Sequence, residues 1–247
     1  MSCALEGGVV LTGRLSEMDR EGPGGPALAV VDGSFVVSHD SPVVGAGGTV
    51  YERLVKPAVD RLIGLTLLML TLPVLALVAI VARARMGPGV IFKQERVGRG
   101  GRRFLVYKFR TMKHDRRQVP QPYAVPDRRK THKHEHDPRV TALGRFLRKW
   151  SLDELPQLWN VVRGDMSLIG PRPELVSIVE RYDGWQHARH RVKPGLTGLW
   201  QVTARGDGLM HENTHIDLAY ASRVSLRNDC KILLLTIPAL LGRRTGY

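Results

Sequence analysis

Residues 62–82 read LIGLTLLMLTLPVLALVAIVA, twenty-one positions without a charge. As a straight helix this run would reach roughly 30 Å, the thickness of a bilayer's hydrocarbon core. It is apolar on every side, which separates it from the amphipathic helices of a soluble surface. Pro73 sits near its middle, where the ring removes a backbone hydrogen bond and kinks a helix. Both flanks are basic, with Arg53, Lys56 and Arg61 before and Arg83 and Arg85 after. Positive flanks favour the cytoplasmic side. Two ends with one preference and a central kink predict a re-entrant hairpin that enters and leaves through the same face. A straight span and a buried core helix are the rival readings.

Working outward, residues 1–49 form an acidic extension rich in Gly and Pro, with GPGGPA and GAGG within it. Three short apolar stretches at 9–11, 27–31 and 35–37 are able to pair as weak strands in a loosely ordered segment. GPGGPA fits a loose dinucleotide fingerprint, but its prolines and the lack of a preceding strand make that match accidental. The first residues show neither a basic region nor a continuous apolar run, so no signal peptide is expected. Across 247 residues the composition is 43% hydrophobic and 24% charged, which excludes a disordered or collagen-like chain. One long apolar run excludes a polytopic membrane protein. Cys3 and Cys230 cannot build a disulfide framework. The net charge of +14 is uneven: residues 1–55 carry −4 and the rest +18. Such a body attracts nucleic acid, anionic lipid or phosphorylated small molecules, and composition does not choose among them.

Beyond the apolar run, VIFKQERV and RFLVYKFRTM alternate and are rich in β-branched and aromatic residues. They flank GRGGR, a Gly-rich turn, and so predict a β-hairpin. Residues 113–136 are polar, with prolines at 120, 122 and 126, and read as a loop. HKHEH at 132–136 has alternating histidines, but its polar setting makes it a solvated loop rather than a zinc site. Helical patterns follow at 142–150, 154–163, 173–190 and 212–221. KILLLTIPALL at 231–241 is too short to span a bilayer. The fold class predicted is α+β, mostly α-helical with a small β-hairpin. It is a monotopic membrane protein with one re-entrant, proline-kinked helix. The predicted units are the extension at 1–49, a membrane-inserting helical hairpin at 50–86 and a cytoplasmic catalytic domain at 87–247.

The chemistry concentrates in SLDELPQLWNVVRGDMSLIGPRPE, residues 151–174. Asp153 and Glu154 are adjacent carboxylates at a helix start. Either Ser151 caps the helix with Glu154 reaching back, or the helix opens at Pro156. In both cases the positive helix end favours ionised carboxylates and attracts phosphate oxygens. Such a pair can hold Mg²⁺, and one member can attack phosphorus; an ordinary helix cap is the rival reading of these residues alone. In GPRP at 170–173, two prolines bracket Arg172 and present its planar guanidinium at low entropic cost, which suits phosphate. Arg145, Arg148 and Lys149 precede the dyad. Lys108 and Arg110 lie on the hairpin, and Arg189, Arg191 and Lys193 precede PGLTGLWQVTAR. Singly, each is an ordinary solvated charge. Together with a membrane segment they suggest a phosphate-handling site at a bilayer surface. There is no Gly-Lys dipeptide, hence no Walker A loop, and no D-x-D motif of the kind many glycosyltransferases use.

The apolar hairpin with its proline, YKFRTM, DPRVTALGRFLRKWSLDELPQLWNVVRGDMSLIGPRPE and KPGLTGLWQV together resemble the bacterial sugar transferases. These are monotopic polyprenyl-phosphate hexose-1-phosphate transferases, and the resemblance runs from about residue 50 to the C-terminus. It implies transfer of sugar-1-phosphate from a UDP-sugar to polyprenyl phosphate, with release of UMP. It also implies that Asp153 attacks the β-phosphate and that Glu154, with Asp153, holds Mg²⁺. Matching motifs, Arg148 and Arg172 are the implied phosphate ligands, then Arg205, then Lys108 and Arg110. The implied setting is the cytoplasmic face of a bacterial inner membrane, in exopolysaccharide or surface glycoconjugate synthesis, with membrane lipid as partner. No nucleic acid is expected, and a homo-oligomer is left open. Two departures stand out: Leu72–Pro73 where the family often has Ser-Pro, and Thr203–Ala204–Arg205 where it often has a Gly before the Arg. Asp217 and Tyr220 match a D-x-x-Y pattern whose role the sequence does not disclose. Rival readings are a membrane-tethered binder of nucleic acid or anionic lipid, an inactive assembly scaffold, and a glycosyltransferase that releases UDP.

Overall fold

A computed structural model describes strand segments at 8–10, 27–31 and 34–38, then residues 49–112, 139–203 and 213–241. HKHEH, the prolines at 120, 122 and 126, and Arg205 lie outside the described residues. Strands β1 (Gly8–Val10), β2 (Ala27–Val31) and β3 (Ser34–Ser38) pair antiparallel in the order β1-β3-β2. They fall on the three apolar stretches of the extension.

After a π-helical turn at Tyr51–Val55, helix α1 runs Lys56–Met86. Pro57 in its first turn is preorganised for helix, and the helix stops at Gly87, whose φ is +73°. Thirty-one residues make a rod of about 46 Å. The helix is continuous through Pro73. Thr71 donates its hydroxyl back to the carbonyls of Leu67 (2.7 Å) and Leu68 (3.4 Å), a pattern that bends helices.

One stripe of α1 is buried. Lys56, Asp60 and Gly64 lie at one end of it, and Val78 and Ala82 at the other. Both ends pack on the same body. Lys56 Nζ donates to Asp229 (2.7 Å), and Asp60 accepts from the Ser167 hydroxyl (2.6 Å). The tyrosine hydroxyls of Tyr51 (2.6 Å) and Tyr220 (2.8 Å) also donate to Asp229. At the far end, Val78 packs with Phe109 and Leu147. Only about a tenth of the apolar stretch of α1 is buried, so α1 is not a core helix within this chain. Leu62, Leu70, Leu77 and Ile80 are each more than 60% exposed. A soluble protein rarely shows an apolar patch of this size, and its chemistry fits a lipid surface.

The expected hairpin is present. Strand β4 (Ile91–Val97) pairs antiparallel with β5 (Arg103–Phe109), Lys108 facing Phe92. The turn between them has Gly100 at φ +65° and Gly101 at φ +77°, which glycine adopts without strain. Helix α2 (Ala142–Lys149) opens on Thr141, whose hydroxyl accepts from the Gly144 amide (2.9 Å). Next come a 3-10 turn at Leu152–Gln157, α3 (Leu158–Arg163) and β6 (Ser167–Ile169). The predicted helix over 173–190 is instead β7 (Glu174–Leu175), α4 (Val176–Val179) and a 3-10 segment at Gly184–Arg191. Pairing of Glu174 with Val97 and of Leu175 with Arg96 extends the hairpin sheet, and that tertiary pairing overrides local helical pattern. The chain closes with β8 (Gly195–Thr197), α5 (Leu199–Thr203), α6 (Thr214–Ser222) and α7 (Leu226–Leu241). The main core joins Ile169, Val192, Leu199, Ile216, Tyr220 and Ile232. The result is a mostly helical protein with small sheets and one long, lipid-compatible helix.

Two devices set the site. Asn160 of α3 is fully buried, and its side chain bridges β5 by accepting from the Tyr107 amide (3.2 Å) and donating to the Leu105 carbonyl (2.7 Å). It covers the open edge of β5 as another strand would. The second device is a glycine contact. A Cβ on Gly195 would stand 2.1 Å from the Gly170 amide nitrogen, and one on Gly198 2.1 Å from the Gly170 carbonyl oxygen. Backbone therefore packs directly on backbone where β6 and β8 pair in parallel, and PGLTG is locked against GPRP.

Candidate active site

Between α2 and the 3-10 turn the chain must reverse sharply. Ser151 makes the reversal in the left-handed region at φ +54°, as the one non-glycine residue to do so among the described residues. That conformation is uncommon and marks a constrained site. Neither sequence-level reading of the helix start survives. Ser151 forms no side-chain cap, and Pro156 lies inside the 3-10 turn. Glu154 does not reach back to Ser151, because two cations draw it the other way.

The Glu154 Oε1 atom accepts from Lys108 Nζ at 2.9 Å and from Arg172 Nη2 at 2.8 Å. All three side chains are about one-fifth exposed. Three separate parts of the sequence meet here: the end of β5, the 3-10 turn and the GPRP loop. Burial pushes the Glu154 carboxyl up, but Arg172 and Lys108 outweigh it and hold the group well below the usual carboxylate range. Burial pushes the Lys108 ammonium down against the attraction of Glu154. Glu154 raises the Arg172 guanidinium further, and Asp153 adds to that field. Asp153 is half-buried beside Glu154 on the same turn.

The other expected ligands stand apart from this triad. Arg148 directs Nε (3.1 Å) and Nη2 (2.9 Å) to the Thr111 hydroxyl. Thr111 belongs to the YKFRTM strap, and a Cβ on Gly144 would lie 2.0 Å from its carbonyl oxygen, so α2 docks directly on that strap. Arg110 is buried and donates to the carbonyls of Met86 and Gly87 (3.1 Å). There it compensates the negative end of α1 rather than touching Glu154.

The roles of several supporting residues are not legible in the local sequence. Arg189 is 1% exposed and donates to the Tyr182 hydroxyl (2.6 Å), the Arg172 carbonyl (2.7 Å) and the Asp217 carboxylate. The Tyr220 hydroxyl, whose one proton is shared with Asp229, also lies 3.1 Å from the Ile169 carbonyl. The D-x-x-Y pair on α6 thus holds the GPRP loop at both ends, Asp217 through Arg189 and Tyr220 directly. Arg96 donates to the Pro173 carbonyl (3.1 Å) and stands 3.6 Å from Glu174. Burial lowers its guanidinium to about 10.

A divalent cation finds a partial donor set here. Among the described residues no three His, Cys, Asp or Glu side chains converge. Mg²⁺ does not need such a cage, since it is usually held by one or two carboxylates together with substrate phosphates. Asp153 and the second oxygen of Glu154 fit that pattern.

The chain is 38% identical over 232 residues to the UDP-galactose-lipid carrier transferase of Erwinia amylovora, covering 90% of this chain and 48% of the relative. It is 39% identical over 220 residues to the exopolysaccharide production protein ExoY of Sinorhizobium fredii, covering 87% of this chain and 96% of ExoY. It is 38% identical over 208 residues to the UDP-glucose:undecaprenyl-phosphate glucose-1-phosphate transferase of Escherichia coli, covering 81% of this chain and 42% of that protein. The chain spans about half the length of several of the relatives it matches. The family described as "Bacterial sugar transferase" matches residues 51–243, a span that takes in α1, the Lys108–Glu154–Arg172 triad and the α6 anchor. By that match and these identities, the chain belongs to the bacterial sugar transferase family.

Proposed function

We propose that this protein transfers sugar-1-phosphate from a UDP-sugar to a polyprenyl phosphate, through a covalent intermediate on Asp153, with release of UMP. The observation that carries the reading is Glu154 fixed between Lys108 and Arg172 with Asp153 beside it on one strained turn. A diphosphate brings several negative charges, and Lys108 and Arg172 are placed to accept part of them. The Asp153 carboxylate attacks the β-phosphorus. The bond from that phosphorus to the oxygen bridging the α-phosphorus breaks, and UMP leaves with that oxygen and its electron pair. A polyprenyl phosphate oxygen then attacks the same phosphorus, and the Asp153 carboxylate departs. No proton need move, because each attacking and leaving oxygen is anionic near neutral pH. Mg²⁺ held by Asp153 and Glu154 would offset charge on the diphosphate. The relatives named for UDP-galactose-lipid carrier, exopolysaccharide production and undecaprenyl-phosphate activities support this substrate class.

The membrane arrangement follows the same reading. Residues 50–86 insert, residues 87–247 form the catalytic domain, and residues 1–49 are an extension. Both ends of α1 are bonded to one body, which supports entry and exit through a single face with Pro73 at the bend. Basic residues on both flanks favour the cytoplasmic side, which supports a setting on that face of a bacterial inner membrane.

The test uses purified protein in nanodiscs with Mg²⁺, polyprenyl phosphate and a panel of UDP-sugars, beside Asp153→Asn. UMP released by the wild type and not by the variant supports the reading. UDP release would replace it with ordinary glycosyl transfer.

A further inference from the structure

The tip of the β4–β5 hairpin forms a cleft that the proposed reaction does not use. Its volume is about 460 Å³, within the range of small-molecule sites. Arg99, Arg102 and Lys193 line it, with Phe104 as an apolar wall and Asp165 as its acidic member. Arg61 joins from α1, its Nη2 lying 2.7 Å from where a Cβ on Gly164 would stand. Asp165 is paired at 3.4 Å with Arg163, which does not line the cleft. Among the described residues, no carboxylate comes within ion-pair distance of Arg61, Arg99, Arg102 or Lys193. The four cations outnumber the nearby carboxylates, Asp165 in the cleft and Asp60 beside Lys193, and an anion would relieve the remaining repulsion. Consistent with this, burial first, then Arg61 and Arg99, push the Lys193 ammonium down against the opposing pull of Asp60 and Asp165. The cleft is separate from the dyad. Arg103 pairs with Val97 and Lys108 with Phe92, so the tip is roughly 17 Å along the strand from Lys108. Arg61 is also the last residue before the apolar run of α1, so the cleft opens beside the lipid surface.

We propose that this cleft is a second anion site that takes a phosphate group through Arg61, Arg99, Arg102 and Lys193. The phosphate comes either from a soluble nucleotide or from a lipid headgroup, which share this chemistry.

The test uses full-length protein in a neutral detergent and pyrophosphate as the first probe, followed by calorimetric titration. Arg99→Gln/Arg102→Gln is the test variant, because both side chains are exposed on a turn and their loss leaves the core intact. Arg223→Gln/Arg227→Gln is the control of equal charge change at another exposed face. The test variant should bind pyrophosphate at least tenfold more weakly than wild type, with the control within twofold. Asp153→Asn should bind as wild type does at this site, so a failed dyad leaves the result readable. Two further arms name the source. One measures UDP affinity in detergent; the other measures flotation with phosphatidylglycerol-containing phosphatidylcholine vesicles. A loss confined to UDP assigns the site to a nucleotide, and a loss confined to vesicles assigns it to a headgroup. Losses no larger than the control's in every arm would overturn the proposal.

Discussion

Replacing Arg189 by Met separates the two roles of the buried network. Arg189 and Asp217 are each 1% exposed and bonded to one another. Met fills most of the volume but leaves the Asp217 carboxylate buried without its cation. Breaking a buried pair from one side costs about 3–5 kcal/mol. In a domain of this size each kcal/mol shifts Tm by about 2–4 °C, so the melting point should fall by roughly 6–20 °C. The double variant Arg189→Met/Asp217→Leu removes both charges, and such exchanges are often neutral or stabilising. Its melting point should return to within a few degrees of wild type. The Arg172 carbonyl, however, stays without its donor, so the GPRP loop is held less firmly and Arg172 is misplaced against Glu154. Turnover in the UMP-release assay should therefore remain at least tenfold down in the double variant, a loss of about 1.4 kcal/mol. A double variant that regained both stability and full turnover would show that the network serves the fold alone. An unchanged melting point in Arg189→Met would refute the burial argument itself.

Three further outcomes follow from named contacts. Lys108→Met removes one of the two cations on Glu154; loss of a charge-assisted hydrogen bond of about 1.5–3 kcal/mol should lower the melting point by roughly 3–12 °C, and with Glu154 less firmly held turnover read by UMP release should fall by about 10- to 100-fold. Asn160→Leu strips the Tyr107 amide and the Leu105 carbonyl of their partners, and should cost about 2–4 kcal/mol in thermal or denaturant unfolding. Burial, then Arg189 and His187, lower His190 to about 4, so the fold keeps it neutral while the unfolded chain takes up a proton near pH 6.5. Stability from this group is present above pH 6.5 and is lost as pH falls toward 4. The loss is about 2–3 kcal/mol after allowance for solvent screening, and Tm measured from pH 7 to 4 should fall less steeply in His190→Gln.

The hairpin was legible because alternation and a Gly-rich turn are local signals, and the structure reproduces its register from Ile91 to Phe109. The apolar helix was legible for the same reason. Asp153 and Glu154 stood out as adjacent carboxylates, and Arg172 through its flanking prolines. What escaped was set by distant partners. Strand β6 has three residues, too few to show a period, and its partner β8 lies far along the chain. Glu154 looked like a capping residue because local sequence cannot show Lys108 and Arg172 converging on it. The segment after Pro173 read as helix because its strand partners, Arg96 and Val97, are nearly eighty residues upstream. Arg110 read as a phosphate ligand, and only the folded chain places it on the end of α1. The D-x-x-Y pair stayed silent because Asp217 acts on Arg189, 28 residues away, and Tyr220 on Ile169, 51 away.

The central claim is that Asp153 carries the phosphosugar between donor and lipid. The most direct measurement incubates the protein with a UDP-sugar labelled at the β-phosphorus, without acceptor, and follows label on the protein by mass spectrometry. The account predicts a stoichiometric adduct on Asp153, equimolar UMP, and discharge of the label into lipid when polyprenyl phosphate is added. Unlabelled protein, with UMP released only once both substrates are present, would contradict it and point to direct transfer in a ternary complex.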